Sequence, residues 1–150
     1  MTTTYSALSA VSAAVFNCLN VAALLALAPG GINDAIPQPT IYPLVFFEVS
    51  NAKQLGGFGT SPGHGDTPEC EVRIHAFSEQ QNVSEAQGIL NLAIGLIYTP
   101  GALVVPGYTV CANQPMTDLQ ILNLGDQLIA NVVCHEEVAI LRVIVENVNA

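Results

Sequence analysis

Positive charge is what this chain has least of. Lys53, Arg73 and Arg142 are its only lysine and arginine residues, against twelve carboxylates and a formal net charge of −9. Proteins that hold nucleic acid neutralise several phosphates with Lys or Arg, and their affinity rests on those contacts. Three cations in 150 residues do not supply them, which excludes sequence-specific DNA or RNA binding. Charge of either sign is scarce as well, at 10% of residues. Ser, Thr, Asn, Gln and apolar groups must then cover much of the surface, and contiguous exposed apolar surface marks interfaces. The balance points to an assembly subunit.

The first thirty-three residues carry no charged side chain, and Ala10 to Ala28 is nearly apolar throughout. A membrane span is opposed by Ser12, Asn17 and Asn20 inside the run and by the lack of flanking Lys or Arg. A secretory leader is opposed by an opening "MTTTYS" without cations, although Ala26-Leu27-Ala28 has the composition of a cleavage site. The expectation is a buried helix, with no membrane partner. Internal repeats and low-complexity tracts are also missing. With 51% hydrophobic residues, the length suits a single domain over residues 1–150 with its own core.

What is present is a clear succession of periods. Leu8, Val11, Val15, Leu19 and Ala22 form one helical stripe, widened by Phe16, Leu24 and Leu27, and Pro29-Gly30-Gly31 ends it. Such all-round hydrophobicity predicts cover on more than one side. "TIYPLVFFEVS", Thr40 to Ser50, reads as a strand with Pro43 at its start or on an edge. "NAKQLGGFGTSPGHGDTP", Asn51 to Pro68, reads as a long glycine-rich arm. Cys70, Val72, Ile74 and Ala76 then alternate with Glu69, Glu71, Arg73 and His75, a strand with one buried and one wet face. Ser84 and Gln87 have the spacing of a capping box. Ala86, Ile89, Leu90, Ala93 and Ile97 follow at helical spacing to about residue 98, and Thr99-Pro100-Gly101 stops them. "ALVVPGYTV" and "LQILNLGDQLIANVV" read as strand runs broken by Pro106-Gly107, Pro115 and Gly125-Asp126. The last strand is expected over Val138 to Val148, with Ala139, Leu141, Val143 and Val145 facing inward. The fold class is α+β: an antiparallel or mixed β-sheet packed by an N-terminal helix and a second helix over about 84–98.

This order of elements carries two short motifs. Tyr42-Pro43-Leu44-Val45 is similar to the "YP-hydrophobic" first strand of the tail terminator, or tail completion, proteins of long-tailed bacteriophages. His75-Ala76-Phe77-Ser78 is similar to that family's strand end of His, any residue, aromatic and Ser, and Glu85-Ala86 follows in the first turn of a helix, as it does there. The resemblance covers Tyr42 to Gly107 by motif and the termini by element order. The chain departs from the family in lacking basic character near its end and in the length of Asn113 to His135. The resemblance implies a non-catalytic, homo-oligomeric and commonly hexameric ring without a cofactor. Such a ring sits in the virion at the tail neck, between the tail tube protein and a head-completion protein. Assembly in the host cytoplasm would keep Cys18, Cys70, Cys111 and Cys134 reduced. Other ring-forming virion subunits, tube or head-closure, and an exported acidic binding domain are the alternatives.

Within that reading, Ile140, Arg142, Ile144 and Glu146 are the expected subunit-interface residues, on a face of the last strand that mixes apolar and charged groups. Gly56, Gly57, Phe58, Gly59 and His64 belong to the expected inter-ring arm. Glu69, Glu71, Asp118 and Asp126 are the candidates to line a channel through which DNA passes without specific binding. No catalytic or metal site is expected. Cys70 and His75, and Cys134 and His135, alternate to opposite faces of strands, which does not suit zinc. "GGFGTSPGHG" lacks the lysine of a phosphate loop and opens no helix. Ser78, close in sequence to His75 and Glu79, reads as a turn residue between strand and helix.

Overall fold

The computed structural model describes residues 4–35, 37, 39–54, 68–80, 83–99, 101–110, 116–129 and 132–147; for 4–7, 51–54, 68, 116–118, 127, 129, 132 and 147 only the backbone is described. The alternation noted from Glu69 onward forms β3, Pro68–Ser78, in which Cys70, Val72, Ile74 and Ala76 are fully buried. Glu69, Glu71, Arg73 and His75 project from its other face and are half-exposed.

β3 lies antiparallel between β2, Leu44–Gln54, and β6, Val132–Asn147. A two-residue β1, Ile32–Asn33, runs parallel to β2 and makes the sheet mixed. On the far side of β6 lies β5, Met116–Ile129, joined to it as a hairpin, while β4, Tyr108–Val110, pairs with the C-terminal end of β6. The result is a curled mixed sheet with helices on one face, an α+β fold.

The helical layer consists of α1, Thr4–Leu19, α2, Ala22–Leu27, and α3, Ser84–Tyr98. α1 lies over β2 and β3 and touches α3, which lies over β3 and β6. Ala86, Ile89, Leu90, Ala93 and Ile97 of α3 are buried, as their spacing predicts. They meet Val11, Val15 and Leu19 of α1 and Ala139, Leu141, Val143 and Val145 of β6 in one apolar cluster.

Several boundaries differ from the sequence reading. The N-terminal helix is two helices, with Val21 extended between them (φ −122°, ψ 155°). Leu19 and Leu24 are both fully buried. In one continuous helix, five residues at 3.6 per turn would set them about 140° apart, so the break lets both enter one core. The expected all-round cover is partial, because Phe16, Leu25 and Leu27 are exposed in the single chain. α3 has Val83 at its N-cap position without a side-chain cap. The N-cap position expected at Ser84 thus falls one residue earlier, on a valine that has no capping group, and Gln87 Nε2 donates to Glu137 at 3.1 Å.

β2 runs past Ser50 to Gln54, with Lys53 opposite Glu69 and Gln54 opposite Pro68, so both ends of the expected arm are strand. The arm residues Gly56, Gly57, Phe58, Gly59 and His64 lie outside the described residues. Of "ALVVPGYTV", only Tyr108 to Val110 is strand; Leu103 and Val105 reach the core from irregular backbone. Gly125, with φ +74°, bulges β5 without ending it. β6 begins six residues earlier than expected, so Cys134 to Glu137 belong to the strand.

Gly30 shows how closely the chain after α2 approaches β2. A Cβ there would sit 1.9 Å from the Ile41 carbonyl oxygen and 2.7 Å from Leu44 Cβ, while Gly88 on α3 faces open space. Gly30→Ala is therefore expected to destabilise the chain by about 3 kcal/mol or more. Gly88→Ala should stabilise it by about 0.5–1 kcal/mol through helix propensity. Urea denaturation at one fixed protein concentration measures both, and the signs should be opposite.

Candidate functional site

The face of the sheet opposite the helices, the open face, holds both arginines. Cross-strand register brings Glu48, Arg73 and Ile140 into one row, Glu71 and Arg142 into the next, and Glu69 beside Ile144. Arg73 Nε donates to Glu71 Oε2 at 3.0 Å, and Arg142 Nη1 donates to Glu69 Oε1 at 2.9 Å. Both guanidiniums are more than 40% exposed, so each pair contributes at most about 1 kcal/mol.

Further along the same face, His75 is held between aromatic rings, 5.3 Å from Phe46 and stacked 6.1 Å from Phe77. Its Nδ1 lies 2.5 Å from Glu136 Oε2, and its Nε2 lies 3.5 Å from Glu48 Oε1 without a hydrogen bond. The imidazole thus ties β2, β3 and β6 together. Leu44, Phe77 and Cys134 form a small apolar cluster beside it, flanked by Tyr42 and Phe46.

A second polar cluster lies on the helix-covered face. Ser78 Oγ donates to Glu85 Oε1 at 2.6 Å and accepts from the Gln80 amide at 3.0 Å, which fixes the turn from β3 into α3. Fully buried Glu137 accepts from Gln87 and lies 3.2 Å from His135 Nε2, while Asp126 stands 3.8 Å from His135 Nδ1.

The structure brings some predicted site residues together and separates others. Ile140 and Ile144 are half-buried on the open face, with Arg142 and Glu146 exposed beside them. Glu69 and Glu71, expected at a channel, share that patch. Asp126 lies on the other face, and Asp118 is placed by its backbone in β5. Ser78 and His75 point to opposite faces, so no serine–histidine–carboxylate arrangement forms. Cys70 faces the helices and His75 the open face; Cys134 and His135 alternate likewise.

Sequence reasoning missed Glu136 and Glu137, which lie beyond its expected strand start. The available signal was the run His135-Glu136-Glu137 leading into an apolar strand, where such groups need partners. It also missed how bare β5 is. Leu119, Ile121, Leu122, Leu124 and Leu128 are 38–70% exposed, and Val133 opposite Leu128 is 61% exposed. Both faces of the hairpin therefore present apolar side chains to solvent.

The fold recurs in a virion. The chain is similar to a chain in a solved structure described as the virion of a native gene transfer agent (GTA) particle, with a TM-score of 0.64 and 17% identity. The match covers 95% of this chain and 99% of that one, so the shared fold extends over nearly the whole of both. No protein-family model matches the chain, and neither does any curated protein.

Cys18, Cys70 and Cys134 are free, buried thiols. Burial, and secondarily the charge of Glu69, push Cys70 from its ordinary 9.0 up to about 11. At about pH 8 only about one molecule in a thousand then carries the reactive thiolate. Cys70 should stay unmodified by iodoacetamide in the folded chain and react in concentrated urea, as peptide mass mapping will show. Because the folded value is raised, the protonated thiol favours folding below about pH 9, and this contribution falls away as pH rises towards 11.

Proposed function

We propose that the chain is a structural subunit of a phage-like virion, and within it a tail terminator that forms a ring on the end of the tail tube and joins tail to head. The observation that carries this is the β5–β6 hairpin, which leaves apolar side chains uncovered on both faces in a single copy. The fold shared with a virion chain over nearly full length supports it, and so do the motifs around Tyr42-Pro43 and His75 to Ser78. The role is geometric: one ring face meets the last tube ring and the other meets the neck, and heterologous contacts close by rotation, with a hexamer as the expected size.

In this ring, the patch of Ile140, Arg142, Ile144 and Glu146 continues the hairpin surface into the subunit seam, since Ile140 lies opposite Gln120 of β5. Glu69 and Glu71, one strand further on, face the channel. The segment within 51–68 reaches a neighbouring ring. The purified chain, imaged with and without its tail tube protein, should form closed rings, and antibody labelling should mark the head–tail junction of the particle. Labelling along the whole tail would make it a tube protein; a monomer under both conditions would overturn the ring.

Two further outcomes are expected. Replacing Ile140 and Ile144 together by Glu should leave the fold intact, since neither side chain lies under the helices, and should abolish ring formation by forcing charges to be desolvated. Circular dichroism and light scattering separate the two effects, and an unfolded variant would place these residues in the core. Rings should not bind duplex DNA at about micromolar concentration even at low salt, where attraction is greatest, because among the described side chains the open face carries Glu48, Glu69, Glu71, Glu136 and Glu146 against two arginines, and the whole chain carries −9. Tight binding there would sink the passive channel.

A further inference from the structure

The two ends of the sheet carry apolar surfaces with little charge. At the β1 end, Ala13, Phe16, Ile32 and Phe47 line an open groove of about 490 Å³ between α1 and the sheet, with Phe16 and Phe47 ring centroids 6.3 Å apart. Asp34 is the only charged residue among its lining. Residues 1–33, which include α1, contain no charge at all. At the other end, the β5–β6 hairpin carries Leu128 and Val133, directly opposite each other, 70% and 61% exposed. From Gln127 to Cys134 it too has no charged residue.

We propose that the groove of one copy receives the hairpin end of the next copy, with Leu128 and Val133 packed against Phe16 and Phe47. This rests on the ring reading and names its seam. Electrostatics favours the contact, because copies that each carry −9 repel one another and gain most where the two sides bring few carboxylates, here Asp34 alone among the groove lining and none from Gln127 to Cys134. Topology sets the kind of contact. From β1 to β5 the sheet takes four steps of about 4.8 Å, about 19 Å as followed along the sheet, so groove and hairpin belong to opposite ends of it. A contact between two different surfaces is head-to-tail and propagates around a ring, whereas a two-fold dimer would join like to like.

The test uses two full-length variants in a Cys111→Ser background, Ala13→Cys and Leu128→Cys, both at exposed positions. Mixed, assembled with the tail tube protein and oxidised, they should give a covalent dimer on non-reducing gels. Either alone should give none, and a chain carrying both changes should give a ladder up to the ring size. Rings that assemble without the mixed dimer overturn this contact and leave the ring reading standing, as does equal cross-linking by Leu128→Cys alone. Failure of every sample, native chain included, to assemble overturns both. A further variant, Leu128→Asp with Val133→Asp, should keep its fold by circular dichroism and need about a hundredfold more protein to assemble. An unchanged assembly threshold also overturns the contact.

Discussion

The structure depends on having one layer of helices for a sheet wider than that layer. α1 and α3 cover β2, β3 and β6, whose inward side chains Val45, Ile74, Ala76, Ala139 and Leu141 are all fully buried. No helix among the described residues reaches over β5. Its apolar side chains, which in a two-layer domain would find a second element to bury them, stay in water. A further helix laid over β5 would cover these side chains within a single copy.

The same constraint explains the distribution of charge. The few cations cannot balance the carboxylates, so carboxylates that approach the interior are met by hydrogen bonds and rings. Glu136 meets His75 between Phe46 and Phe77, and Glu137 meets Gln87 and His135 under α3. Polar groups buried this deeply cost free energy unless partnered, and here the partners come from different strands and from α3. The ties therefore also hold the sheet's curl and the seating of α3. Buried thiols fill the remaining volume as small apolar groups, with burial suppressing their ionisation.

The sequence by itself determined what depends on neighbours along the chain. Period two from Glu69 to Ala76 and period 3.6 from Ala86 to Ile97 specify β3 and α3, and which side of each is buried, because a strand or helix sorts its own side chains into faces. The count of three cations likewise sets the acidic character of any assembly. Tertiary structure alone decided the rest. The break at Asn20 and Val21 follows from Leu19 and Leu24 both having to reach the core, and Gln87 finds Glu137, fifty residues away, across the packing of α3 on β6. His75 finds Glu136 across sixty-one residues through the register of β3 with β6. Nor can local pattern show that β5 is bare, since its hydrophobic run would read the same under a helix. Whether an apolar strand is core or contact depends on what the remainder of the chain lays over it, and here the described helices lie over β2, β3 and β6 and leave β5 exposed.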